Sequence, residues 1–266
     1  MAAKLSLSRA WEETREVFRR DGRLIAIVAL ALLVLPTTVQ ALVTPAAPPG
    51  ELPETGAWMI VALVALLIGV TAQLSIVRLA IGPATSVGES IAHGARRMPI
   101  YLAAMVIWLV PFLVVMFMLL AAIRLPAPNP AAVLGFFVVL VVTVLLAVRL
   151  VLALAVASSE RVGPLRVLKR SWGLSRGNWW RLFAFFVLFL ITAVCVMVAA
   201  GAAIGLVTAL VLGPPEGTNV SALLVALVTQ LAVAAVTAVF VVMLARIYVQ
   251  LAGRGEAEVS VPSSGT

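Results

Sequence analysis

Six apolar runs dominate this chain, at residues 24–43, 58–81, 100–123, 131–157, 182–212 and 220–251. Each is as long as, or longer than, the roughly 20 residues that a helix needs to cross about 30 Å of hydrocarbon. A segment in lipid has no water to bond its backbone, so it closes its own hydrogen bonds as a helix. The expectation is an all-α polytopic membrane protein with six transmembrane helices. Composition agrees: 63% of residues are hydrophobic and 11% charged, whereas about a quarter of a soluble domain is charged. The net charge of +8 would suggest nucleic acid in a soluble protein. Here the charges flank apolar runs, so topology and anionic headgroups account for them, and no nucleic-acid partner is expected. One cysteine, Cys195, leaves no disulfide to form within the chain. The residues before Leu24 are mostly polar and the run after them is too long for a cleavable leader, which reads as a retained span.

Basic residues set the expected orientation. The connections 44–57, 122–130 and 213–219 hold one basic residue, Arg124, while the N-terminus, the other connections and the tail hold nearly all the rest. By the positive-inside rule both termini are cytoplasmic, in a bacterial inner membrane. Pro36 and Pro111 interrupt runs one and three, and Arg149 lies within run four. Run five is longer than one straight span needs, which predicts tilt, a break between Gly201 and Gly205, or projection beyond the bilayer. Residues 1–253 read as a single membrane domain and 254–266 as a disordered tail.

The polar segments before runs one, three and five share a pattern. Leu7, Trp11, Thr14 and Phe18 fall on one helical face, as do Val87, Ile91, Gly94 and Met98, and Leu168, Trp172, Ser175 and Trp179. Gly82-Pro83 and Ser90 recur 81 positions later as Gly163-Pro164 and Ser171. The chain therefore divides into three units, about 5–81, 84–162 and 165–251, each an amphipathic interfacial helix followed by a membrane hairpin. Trp11, Trp172, Trp179 and Trp180 would anchor these helices at headgroup depth, with Lys and Arg toward phosphate.

Between Arg149 and Arg181, across the junction of the second and third units, Arg149, Glu160, Gly163-Pro164-Leu165, Arg170-Ser171-Trp172, Leu174, Gly177 and Trp180 form an ordered pattern. It resembles the membrane domain associated with glycerophosphoryl diester phosphodiesterases and its stand-alone bacterial relatives, the YciC-like inner-membrane proteins. The resemblance covers about a third of the chain. It implies a membrane domain of no defined activity. It does not imply phosphodiester hydrolysis, which in that family resembles a soluble barrel with paired histidines; this chain has one histidine, His93, and no soluble stretch of that size.

No nucleophile elbow, zinc-protease or phosphate-loop motif is present. Glu89 lies one turn before His93, a spacing that suits an interfacial hydrogen bond better than a metal site, and neither metal nor cofactor is expected. Thr71, Ser75, Thr143, Thr192, Thr208 and Thr229 read as hydroxyls that bond back to their own helices. No carboxylate lies inside a span, which argues against ion-coupled transport. Arg78, Arg149 and Arg246 lie toward the cytoplasmic ends of the even-numbered spans; Arg78 and Arg246 are within snorkelling reach of the headgroups. Arg149 is deepest, about 12 Å inside, where an unpaired guanidinium costs about 2.5–3.5 kcal/mol. The candidate headgroup-binding residues are Arg78, Arg149, Lys169, Arg170, Trp172, Arg176, Trp179, Trp180, Arg181 and Arg246. A headgroup is expected between Arg149 and the helix that carries Trp172. The expected function is non-enzymatic binding of anionic membrane lipids, a membrane partner or a second copy; the alternative is a transporter or flippase of an anionic amphiphile using Arg149.

Overall fold

The computed structural model describes residues 5–45, 53–82, 86–123, 130–213 and 219–259, and among them there are helices and no strands. Six helices are long and apolar enough to cross a membrane, with mean hydropathies from 2.3 to 3.0. In chain order, α1 (Leu7–Ala29) runs through a π-helical turn (Leu30–Val34) into α2 (Leu35–Val43), and α3 (Trp58–Ile81) follows. Next come α4 (Val87–Ile123), α5 (Pro130–Leu150) and the short α6 (Ala153–Ser159). The chain ends in α7 (Pro164–Ser175), α8 (Trp179–Val211) and α9 (Val220–Val259).

Several departures from expectation have local causes. Pro36 cannot donate a backbone hydrogen bond, and the helix absorbs this one turn earlier: the Leu35 N–H reaches back to the Leu30 carbonyl in the π-helical turn. The Thr37 hydroxyl then donates to the Leu33 carbonyl at 2.5 Å. Pro99 and Pro111 both lie inside α4 without ending it. The polar segments of units one and two are thus not separate interfacial helices, because α1 and α4 run on into their spans. Only α7 stands apart, and Gly177 explains why. Its φ of 77° closes the α7–α8 turn in a conformation that glycine alone adopts freely. The corresponding positions in units one and two hold Glu16 and Arg96, which keep the chain helical.

Run four forms one span, Val133–Ser159, as expected, with a turn at Val151 and Leu152 between α5 and α6. The Ser171 hydroxyl donates to the Arg149 carbonyl at 3.1 Å beside that turn, a side chain entering the backbone ladder from another helix. Run five, in contrast, is the unbroken α8, and Gly201 and Gly205 have open space on their Cβ sides. The close helix approach lies elsewhere, at Gly94 of α4, where a methyl group would overlap the Ser75 hydroxyl and the Thr71 carbonyl of α3. Helix α9 continues to Val259, past the start of the expected disordered tail, and the residues after it lie outside the described ones. Pro83, Arg124 and residues 214–217 also lie outside them.

The three pre-span segments bury a common face that includes Thr14, Gly94 and Ser175 of the expected row but not its tryptophans Trp11 and Trp172. Ala10, Ser90 and Ser171 are buried, as are Thr14, Gly94 and Ser175 one turn later, while Trp11 and Trp172 are exposed. Small side chains at that spacing let backbones approach closely where lipid gives no hydrophobic drive. Gly82 (φ −77°, ψ 169°) and Gly163 (φ −75°, ψ 168°) share one extended conformation. The units are not independent bodies: α3 packs on α4 across the first boundary as extensively as any pair in the bundle. Leu74, Ile76 and Val77 of α3, Val156 of α6, and Val241, Ala245 and Ile247 of α9 form a core near the arginine-rich end. Toward the other end α4, α5 and α8 turn large apolar side chains outward, among them Phe117, Leu134 and Leu210.

Candidate functional site

Ten residues at the basic end were expected to form one face, and the structure divides them. Arg149, at the end of α5, lays its guanidinium over the Trp172 ring of α7, 4.9 Å from the centroid. Such a stack offsets part of the cost of an arginine at this depth. Lys169, Trp172 and Arg176 rim a cleft of about 530 Å3, and Leu146, Leu150 and Trp108 line it from α5 and α4. Trp179 stacks on Phe183 at 5.1 Å, and Trp180 meets both rings edge-on and lies exposed. Arg149, Lys169, Trp172 and Arg176 are thus brought together, with the two tryptophans on the next helix.

Four of the others are engaged within the protein or lie apart. Arg170 pairs with Glu160 at 3.0 Å, and the Tyr248 hydroxyl donates to the same carboxylate oxygen at 2.9 Å. Arg181 donates to the Leu5 carbonyl, while the Asn178 side-chain oxygen accepts from the Leu5 N–H at 2.9 Å. Arg246 does not snorkel outward. It pairs with Glu13 at 3.1 Å and donates to the Ala80 carbonyl at 3.3 Å, so it ties α9 to α1 and α3. Arg78 folds back over Gly82 at the end of α3.

A second cleft, of about 520 Å3, went unnoticed in the sequence; His93, Arg96, Arg97 and Arg161 line it. The available signal was the i, i+3, i+4 spacing of His93, Arg96 and Arg97, which puts all three on one face of α4. Glu89 is not the partner of His93. It accepts from the Ser86 N–H at 3.1 Å, and the Glu89 N–H donates to the Ser86 hydroxyl at 3.2 Å, forming a capping box. His93 instead bonds the Ser158 carbonyl at 2.8 Å through Nε2. A carbonyl only accepts, so Nε2 carries the proton. The Ser158 hydroxyl donates onward to the Leu74 carbonyl at 3.0 Å, joining α4, α6 and α3. His93 lies in the polar stretch before the apolar run at Ile100. Burial holds its imidazole below the ordinary value, the Ser158 carbonyl pulls the other way, and Arg78, Arg97 and Arg161 lower it further.

Within the spans, the hydroxyls of Thr71, Ser75, Thr143, Thr192 and Thr208 bond back to carbonyls of their own helices, as expected. Among the described residues no three His, Cys, Asp or Glu side chains gather to hold a metal ion. No curated protein and no solved structure matches the chain. A family model does match residues 1–251. A membrane-spanning bundle with a basic, aromatic end is therefore what this chain contributes to its family, and by that match it belongs to the family of the domain of unknown function DUF7847.

Proposed function

We propose that this chain is a non-enzymatic multi-pass membrane protein that holds anionic lipid headgroups at its basic end. In the same reading that end faces the cytoplasm of a bacterial inner membrane, in accord with the distribution of Lys and Arg. One observation carries it: Arg149 stacked on Trp172 at a cleft rimmed by Lys169 and Arg176 and floored by Leu146 and Leu150. Phosphate meets Lys169 and Arg176 there, with the Arg149 guanidinium held over the Trp172 ring beside them, while acyl chains have apolar helix faces to follow. The second cleft adds Arg96, Arg97 and Arg161, none of which has a carboxylate partner among the described residues.

Native mass spectrometry in a neutral detergent tests this. The protein is expected to retain phosphatidylglycerol in preference to phosphatidylcholine, and Arg149→Gln with Trp172→Ala to lose that preference while unfolding cooperatively. Equal retention of both lipids by the unsubstituted protein rejects the reading. A second reading, a carrier of an anionic amphiphile, draws on the break between α5 and α6 immediately after Arg149, since interrupted spans recur at transport sites. Movement of labelled phosphatidylglycerol across reconstituted vesicles, lost in Arg149→Leu, would favour it; no movement would exclude it.

A further inference from the structure

Three glutamines enter the apolar part of the bundle from three different spans: Gln40 on α2, Gln73 on α3 and Gln230 on α9. All three line one cavity of about 430 Å3, with Thr37 and Thr237 beside them. None of the three side-chain amides has a hydrogen-bond partner among the described residues. Gln230 lies about 15 Å from the start of α9 at 1.5 Å per residue, half of a hydrocarbon layer about 30 Å thick. An unpaired amide at that depth is costly, because lipid supplies nothing to bond it. One such residue is an accident of packing. Three from separate helices, facing one space, describe a site suited to an occupant that bears hydroxyls.

The surroundings narrow the chemistry. Among the described residues no ionisable side chain lines the cavity, so an ion would shed its hydration without gaining a countercharge. Each amide offers a donor and an acceptor side by side, which matches a hydroxyl that both donates and accepts. The Thr37 hydroxyl already donates to the Leu33 carbonyl, so it has only acceptor capacity left for an occupant. Ala62, Gly69 and Ala234 make the room by being small, and Leu33 and Val70 offer apolar wall for C–H faces. Leu33 belongs to the π-helical turn that precedes Pro36, and such turns are frequent at functional sites.

We propose that this cavity binds an uncharged, hydroxyl-rich group, the glycosyl or glycerol portion of a lipid headgroup or of a free sugar. It shares no residue with the clefts at the basic end and stands whether or not those hold anionic lipid.

The test uses the full chain in phosphatidylcholine nanodiscs doped with monoglucosyl diacylglycerol, with plain diacylglycerol as control and methyl glucoside as the free-sugar arm. Native mass spectrometry is expected to show a glucolipid adduct at least tenfold over the diacylglycerol adduct. Gln40→Leu, Gln73→Leu and Gln230→Leu together are expected to abolish it while leaving the unfolding temperature unchanged or higher, because unpaired amides are being replaced by apolar groups. Gln73→Leu alone carries the same test should the triple variant not fold. A raised unfolding temperature with methyl glucoside assigns the site to free sugars, and an adduct without that rise assigns it to lipid; both uphold it. The proposal is overturned if neither probe binds selectively, if the variants keep the adduct, or if Gln73→Leu by itself unfolds at a markedly lower temperature, which would make the amides ties between helices.

Discussion

Arg246 and Glu13, 233 positions apart in the chain, meet at 3.1 Å with about a fifth to a quarter of each side chain exposed. Glu13 also accepts from Arg9 at 2.9 Å, and Arg246 also reaches the Ala80 carbonyl. One carboxylate therefore anchors the first helix to the last and, through Arg246, to the end of α3. Glu13→Gln or Arg246→Leu leaves a half-buried partner unmatched and is expected to cost about 1–3 kcal/mol. The double variant Glu13→Leu, Arg246→Leu should cost less than the sum of the single ones, because the two act as a pair. Unfolding in a mild detergent measures both.

Gly94 and Gly201 predict opposite outcomes for one substitution. Gly94→Ala forces a methyl group onto the Ser75 hydroxyl and the Thr71 carbonyl, and overpacking of that kind costs about 1–3 kcal/mol. Gly201→Ala meets nothing within 4 Å and should gain about 0.5–1 kcal/mol from helix propensity. Thermal unfolding of the two variants side by side decides it.

Gly177→Ala is expected to cost about 1–2 kcal/mol, since φ there is 77° and a Cβ resists that region. The turn it disturbs also holds the residue before the α1 cap: Asn178 and Arg181 grip Leu5. Limited proteolysis should therefore cut near residue 5 faster in this variant, while α9 stays protected.

His93 gives a pH dependence with a defined sign. Its folded pKa lies below the ordinary 6.5, so the unfolded chain binds the proton more readily. Stability should fall as pH drops through about 6.5 and level off below the folded value. His93→Gln should flatten that slope, read as unfolding temperature against pH.

The number of spans was legible because hydropathy is a local property and lipid leaves the backbone no alternative to helix. The interruption after Arg149 was not. No Gly or Pro marks it, and its companion is the hydroxyl of Ser171, 22 positions away. Of the three outcomes open to run five, the break near Gly201 is absent for the converse reason: glycine permits a bend, but α8 stays helical from Trp179 to Val211, which leaves tilt or projection to take up its length. At the site, proximity of Arg149 to the Trp172 helix was foreseeable from the short α5–α7 connection. The carboxylates that occupy Arg170 and Arg246 come from Glu160 and Glu13, and pairing over such distances leaves no trace in spacing. Gln40, Gln73 and Gln230 stood in plain view within apolar runs, but a search for charges passes over uncharged amides.

The grip of Asn178 and Arg181 on Leu5 also bears on how the molecule comes into being. A ribosome releases Leu5 more than 170 positions ahead of these two residues. Until then the opening segment has no place to dock, and Glu13 must wait longer still for Arg246. Insertion of the earlier spans therefore precedes the closing of the bundle, which is the work of the final third of the chain. A nascent chain halted before α8 would carry α1 in the membrane with Leu5 untethered.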